Sequence, residues 1–230
     1  MLIGILQTGL APDALAKLGD YPDMFARLLR GQGLTFHTYR VVEGIFPAHV
    51  TECDGWLITG SRHGVYEDHP WLPPLEQFIR DSFAAHIPLV GICFGHQIIA
   101  QAMGGRVEKF AGGWAVGATE YDFGGNTLTL NAWHRDQVVQ VPAGARVVAT
   151  NDFCANAALL YDHAFTLQAH PEFRPEFIDG LMRTRGKGLV PDALMAAATA
   201  NLTKPLADQT IATQIATFFK SNRAQAAQIR

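Results

Sequence analysis

Cys93 lies within Gly91-Ile92-Cys93-Phe94-Gly95-His96-Gln97. An apolar run, Ile87 to Val90, precedes this stretch and reads as a buried strand. Beyond it, Ile98, Ile99, Ala102 and Met103 recur at helical spacing. The thiol therefore falls where a strand turns sharply into a helix, the context of a nucleophile elbow with Cys in place of Ser. Gly91 and Gly95 lack Cβ atoms, so strand and helix backbones can approach closely. A thiol at a helix N-terminus meets the positive end of the dipole and unpaired N–H groups, and both favour thiolate. The backbone N–H of Phe94 points to where an oxyanion would form beside the sulfur. A buried core cysteine is the plain alternative; the elbow spacing favours a nucleophile.

A thiolate nucleophile needs an imidazole partner and a group to orient it. Two pairs have suitable spacing. Gln168-Ala169-His170-Pro171-Glu172 ends the last apolar strand, with His170 and Glu172 two residues apart and Pro171 stiffening the link. In Ala132-Trp133-His134-Arg135-Asp136, His134 and Asp136 are also two apart. Spacing alone does not choose between the pairs. The more apolar strand leading into His170 slightly favours that one.

The elements that must carry these groups alternate in the first half of the chain. Leu2 to Leu6, Leu34 to Val41, Trp56 to Thr59 and the run before Cys93 read as strands. Between them, Tyr21, Met24, Phe25, Leu28 and Leu29 form one amphipathic stripe, and Trp71, Leu72, Leu75, Phe78, Ile79 and Phe83 another. Pro73 and Pro74 fall in the first turn of the second helix, where Pro is tolerated. Gln7 to Asp20 is loop-like, and Gly60-Ser61-Arg62-His63-Gly64 closes the third strand. Gly60 can turn the chain and offer its N–H to a ligand; Arg62 and His63 are assigned no catalytic role. After Gly104-Gly105 the chain becomes β-rich: Trp114 to Tyr121, Thr127 to Leu130, Val138 to Val141, Arg146 to Thr150, Ala157 to Tyr161 and Phe165 to Gln168. Gly112-Gly113 and Gly124-Gly125-Asn126 mark turns. The tail returns to helix at Glu176 to Arg185, Leu194 to Ala200 and Leu206 to Lys220, with Ser221 to Arg230 read as a polar, frayed end.

Bulk properties narrow the function classes. The 230 residues suit one α/β domain, and 48% hydrophobic residues supply a sizeable core. A net charge of -3 gives no electrostatic case for nucleic acid or an anionic membrane. Cys53, Cys93 and Cys154 are odd in number and widely spaced, which argues against a disulfide framework or a zinc site and fits a reducing cytoplasm. No apolar run reaches membrane-spanning length.

The Cys93 elbow together with His170-Pro171-Glu172 resembles the class I, triad-type glutamine amidotransferases, in a free-standing branch similar to the amidotransferase domain of GMP synthase. The likeness includes Leu57 to Ser61, Val65 to Asp68, Gly113 to Gly117 and Trp133 to Asp136, and runs from Leu2 to about Phe173. It implies an open, mostly parallel, flavodoxin-like sheet flanked by helices, with extra antiparallel strands in the second half. Residues 1–230 would form one domain, with 174–230 as a helical extension packed on it. It implies Cys93 as nucleophile, His170 as base and then acid, and Glu172 as orienter. The N–H groups of Gly60 and Phe94 would form the oxyanion hole. Gln97 would hold the substrate's amino-acid end, and backbone near Trp133 and His134 its α-carboxylate. A γ-glutamyl thioester would be hydrolysed by water without metal or organic cofactor. One departure is Gly60-Ser61-Arg62, where many relatives carry a Gly-Pro-Gly or Gly-Gly-Pro turn; Arg62 alters the expected pocket.

Three functions are open at this point. A glutaminase subunit would pass ammonia to a separate synthetase; it must explain the absence of an attached acceptor domain and predicts low activity until a partner binds. An autonomous hydrolase would cut γ-glutamyl amides or peptides with the same triad. A catalytically silent binding module is disfavoured by the intact Cys93, His170 and Glu172.

Overall fold

The computed structural model describes the backbone of residues 1–228 and the side chains of residues 1–222. Four strands and three helices alternate first: β1 (Leu2–Leu6), α1 (Tyr21–Leu28), β2 (Thr35–Tyr39), β3 (Gly55–Ile58), α2 (Leu72–Ala84), β4 (Leu89–Ile92) and α3 (Phe94–Ala102). Seven strands follow: β5 (Arg106–Lys109), β6 (Ala115–Asp122), β7 (Thr127–His134), β8 (Asp136–Gln140), β9 (Arg146–Ala149), β10 (Ala158–Leu160) and β11 (Ala164–Leu167). The tail forms α4 (Pro175–Leu181), α5 (Asp192–Ala200) and α6 (Asp208–Gln228).

The central sheet has the order β2-β1-β3-β4-β11-β10-β9. β2, β1, β3, β4 and β11 run parallel, and β10 runs antiparallel to both of its neighbours, β11 and β9. Strands covered on both faces lose the polar alternation of an edge sheet, and β3, β4 and β11 are buried throughout. Their side chains alternate between two cores. Trp56, Ile58 and Leu89 meet Leu75, Phe78 and Ile98 of α2 and α3. Leu57, Val90 and Leu167 meet Phe25 of α1 and Ile211, Ile215 and Phe219 of α6. A third apolar cluster, including Tyr21, Phe173, Phe177 and Leu181, lies where α4 meets the loop after β11. Two small antiparallel pairs, β6–β7 and β5–β8, complete the second half.

The expected architecture is present, with local differences. β7 continues four residues beyond Leu130 because all eight of its residues pair with β6, through Ala115 opposite His134. The pairing extends the strand across Asn131, which breaks the apolar alternation. The helix expected over Glu176 to Arg185 ends as α4 at Leu181 and widens into a π turn over Met182–Gly186. The final helix passes Lys220 and continues to Gln228, through a segment rich in the good helix formers Ala and Gln; the rest of the expected frayed end, Ile229 and Arg230, lies outside the described residues. Among the described residues, no helix is long and apolar enough to cross a membrane.

Candidate active site

Three adjacent parallel strands deliver the site. The register sets Ile58 opposite Gly91 and Leu167 opposite Ile92. The chain leaving each strand at its C-terminal end therefore carries Gly60, Cys93 and His170 to one edge of the sheet, the end where open α/β sheets place ligands. Cys93 caps the N-terminus of α3, and its N–H donates to Leu167 O at 2.8 Å. Gly91 and Gly95 are needed for contact: an added Cβ would stand 2.4 Å from Gly95 O at the first and 2.3 Å from Ile58 O at the second. The unusual dihedrals belong to Cys93 itself, with φ 53° and ψ −102°. A non-glycine residue held there stores on the order of 1–3 kcal/mol of strain. The elbow thus holds the Cys93 side chain at the wall of the cavity beyond the sheet edge.

His170 is 3% exposed. Its Nδ1 lies 2.7 Å from Glu172 Oε1, as the same-side spacing of the two residues leads one to expect. Phe173 stacks on the imidazole with centroids 3.9 Å apart and planes at 4°. His170 N–H donates to Asn131 O, and Asn131 Nδ2 donates to Phe173 O, both at 2.8 Å. Ring and backbone are therefore both fixed. Burial by itself lowers the imidazole's proton affinity, but the neighbouring Glu172 carboxylate and Cys93 sulfur outweigh it and hold His170 above its ordinary value. Phe173 and Asn131 escaped the sequence reading. Phe173, three residues after His170 and among aromatics, was the available signal.

The rival pair is not assembled as a base and its orienter. His134 is 3% exposed, and neither ring nitrogen bonds a side chain. Burial pushes its imidazole down to about 3, with His170 adding to the effect. The Asp136 carboxylate turns away from it and accepts from Tyr66 Oη at 2.8 Å. The structure separates two pairs that spacing could not.

The other expected residues lie at the same edge of the sheet as Cys93. A Cβ on Gly60 would stand 2.8 Å from His170 Cε1 and 3.8 Å from Cys93 Cβ. The glycine is required by this close approach, since its φ is not in the left-handed region. Thr8 Oγ1 donates to Gly60 O at 3.3 Å, and Ser61 Oγ to Thr8 O at 2.7 Å, so the loop is braced from the segment that follows β1. Phe94 opens α3, where backbone N–H groups lack intrahelical partners. Gln97 Nε2 donates to Asp136 O at 2.9 Å and to Gln168 Oε1 at 3.1 Å. Both amide donors are thus spent within the protein, leaving Oε1 to meet a ligand. Trp133 and His134, at the end of β7, line one wall.

Cys93, Gln97, Trp133, His134 and His170 line a cavity of about 260 Å³. The cavity is also lined by Arg62, Lys109, Arg135 and Arg185, with Glu67 and Asp136. Cys53 and Cys154 do not line it; burial raises both thiols, Cys154 to about 12.

Residues 22–182 match the family model of class-I glutamine amidotransferases, and the chain belongs to this family. It is 28% identical to γ-glutamyl peptidase 2 of Arabidopsis thaliana, over 70% of this chain and 71% of that one. It is 30% identical to the glutamine-hydrolysing GMP synthase of Pyrobaculum aerophilum over 67% of this chain, which spans only 31% of that longer protein. The fold matches a glutamine amidotransferase from Methylobacillus flagellatus with TM-score 0.77 and 22% identity, covering 97% of this chain and 94% of that one.

Proposed function

We propose that the protein hydrolyses γ-glutamyl amides through a Cys93 thioester, and that its leaving group is an amino acid or peptide. The strained elbow of Cys93 beside a clamped His170–Glu172 pair is the observation that carries the chemistry. In this reading Cys93 and His170 form a thiolate–imidazolium pair. The sulfur attacks the γ-carbonyl carbon, and the oxyanion is held by the N–H groups of Gly60 and Phe94. His170 gives its proton to the departing amine as the C–N bond breaks. Water, deprotonated by His170, then attacks the thioester; the C–S bond breaks and glutamate leaves. Gln97 Oε1 accepts from the substrate ammonium, and backbone near Trp133 and His134 binds its α-carboxylate.

The leaving group is read from the cavity. Four cationic side chains among its lining residues suit a carboxylate beyond the scissile amide, which ammonia lacks. The γ-glutamyl peptidases among the relatives support the same choice. A glutaminase subunit serving a separate synthetase is the second reading, favoured by the GMP synthases among the relatives. Three unpaired, buried cysteines favour a reducing compartment such as the cytoplasm.

The test is glutamate release by the purified protein from a γ-glutamyl dipeptide and from L-glutamine, with Cys93→Ala as control. Rapid release from the dipeptide and little from glutamine is expected. Release from glutamine alone, rising with an added synthetase, would support the subunit instead. Release unchanged in Cys93→Ala would remove the thioester mechanism.

A further inference from the structure

His63, Glu67 and His69 sit together at the rim of the cavity, on the loop between β3 and α2. His63 Nδ1 lies 3.3 Å from Glu67 Oε2, and His69 Nε2 lies 2.8 Å from the same oxygen. One ligand atom from each residue falls within 4.8 Å of the other two. A tetrahedral zinc ion with arms of about 2.0–2.2 Å requires donors separated by roughly 3.3–3.5 Å. The three donors are therefore near the spacing of a coordination face.

The rings are also held in place. His69 stacks on Trp71, with planes at 13° and centroids 5.6 Å apart, and His63 meets Trp71 edge-on. Trp71 is buried and belongs to the core beneath α2. Backbone bonds from Glu67 N to Gly64 O and from His69 N to Glu67 O fix the turn between the histidines, and one from Leu72 N to His69 O ties its end to α2. His63 is 17% and Glu67 43% exposed at the side chain, so an ion can enter from solvent.

We propose that His63, Glu67 and His69 form a binding site for a divalent transition-metal ion, zinc foremost, at the mouth of the catalytic cavity. Two imidazole nitrogens and one carboxylate oxygen form a donor set that suits zinc, and also copper or nickel, better than magnesium or calcium. Three protein ligands leave a fourth position for water or a cavity ligand. Tyr66, between these ligands, bonds Asp136 across the cavity. Occupancy of the site thus fixes the loop that carries both Arg62 and Tyr66. A short His-x3-Glu-x-His pattern was present in the sequence, but its three donors converge only through the turn at Gly64 to His69.

Zinc also binds catalytic thiolates, so the test uses full-length Cys93→Ser protein. Zinc is titrated by calorimetry, and cobalt(II) serves as a spectroscopic probe. One ion per chain is expected, with visible ligand-field bands for cobalt. Adding His63→Ala or His69→Ala should weaken binding by more than the roughly tenfold that losing an outer-sphere partner costs, and should abolish the bands. Glu67→Gln, which keeps side-chain shape, should weaken binding in the same direction. Absence of zinc binding to Cys93→Ser, or affinity in all three ligand variants unchanged from that of Cys93→Ser, would overturn the site. Neither readout depends on turnover, so the proposed hydrolase activity can fail without affecting it.

Discussion

His170 and His134 line the same cavity, are equally buried, and each precede a carboxylate by two residues. Their protonation is driven in opposite directions. His170 is raised by Glu172 and Cys93, whereas His134 is pushed down to about 3 by burial. The difference lies in where each carboxylate points. Glu172 follows His170 into the buried site and bonds its Nδ1; Asp136 turns outward to Tyr66. A buried imidazole therefore remains charged only where an anion is supplied to it, and sequence spacing does not reveal that supply.

Removing each ring tests the comparison most severely. His170→Ala should lower kcat/KM for a γ-glutamyl dipeptide by about 10³-fold, within the range for losing a general acid–base. His134→Ala should cost under about tenfold, because an uncharged imidazole there moves no proton. A larger loss at His134 in steady-state assays would reverse the assignment.

Gly60→Ala tests the packing that sets the His170 ring. The added Cβ would stand 2.8 Å from His170 Cε1. A displaced ring should cost on the order of 10²-fold in kcat with the fold retained by circular dichroism. Wild-type kcat would show that this contact does not position the base.

Glu172→Gln preserves shape while removing the anion that supports His170. Activity should fall about tenfold, and the alkaline limb of the kcat/KM profile should move to lower pH. The sign follows from the imidazolium: its raised pKa drops once the carboxylate is gone. An unmoved limb would contradict this role of Glu172.

The neutral histidines give the smallest effect, in stability. His96 is pushed down to about 3 by burial, as is His134. Both stay neutral in the folded state while the unfolded chain takes up protons below about pH 6.5. Stability is full above that value and should fall by about 2 kcal/mol per histidine between pH 6.5 and 5. His170 offsets only a small part of this: its raised value keeps it protonated in the folded state throughout, so its contribution is complete only below about pH 6.5 and erodes above it. Urea unfolding midpoints at pH 7 and pH 5 check the slope; replacing His96 with Asn should flatten it by about half.

The apolar runs of β1, β3 and β4 were legible in the sequence because strands buried on both faces admit little else. The Cys93 elbow was legible because the two glycines are demanded by backbone contacts under 2.5 Å. Other features depend on tertiary meetings of distant segments. The stacking of Phe173 on His170, the Asn131 bridge to the His170 backbone and the bond between Tyr66 and Asp136 leave no periodic trace. The flanking glycines serve close approach, whereas the backbone strain, which no residue type marks in the sequence, falls on Cys93. β7 was underestimated for a related reason, since pairing with β6 decides its end.

The most direct test of the central claim is acid quenching of the protein during turnover of a γ-glutamyl dipeptide, followed by peptide mass spectrometry. A γ-glutamyl increment on the peptide carrying Cys93, absent in Cys93→Ala and accumulating little in His170→Ala, is the predicted result. Continued glutamate release by Cys93→Ala, with no adduct on Cys93 in the wild type, would contradict it.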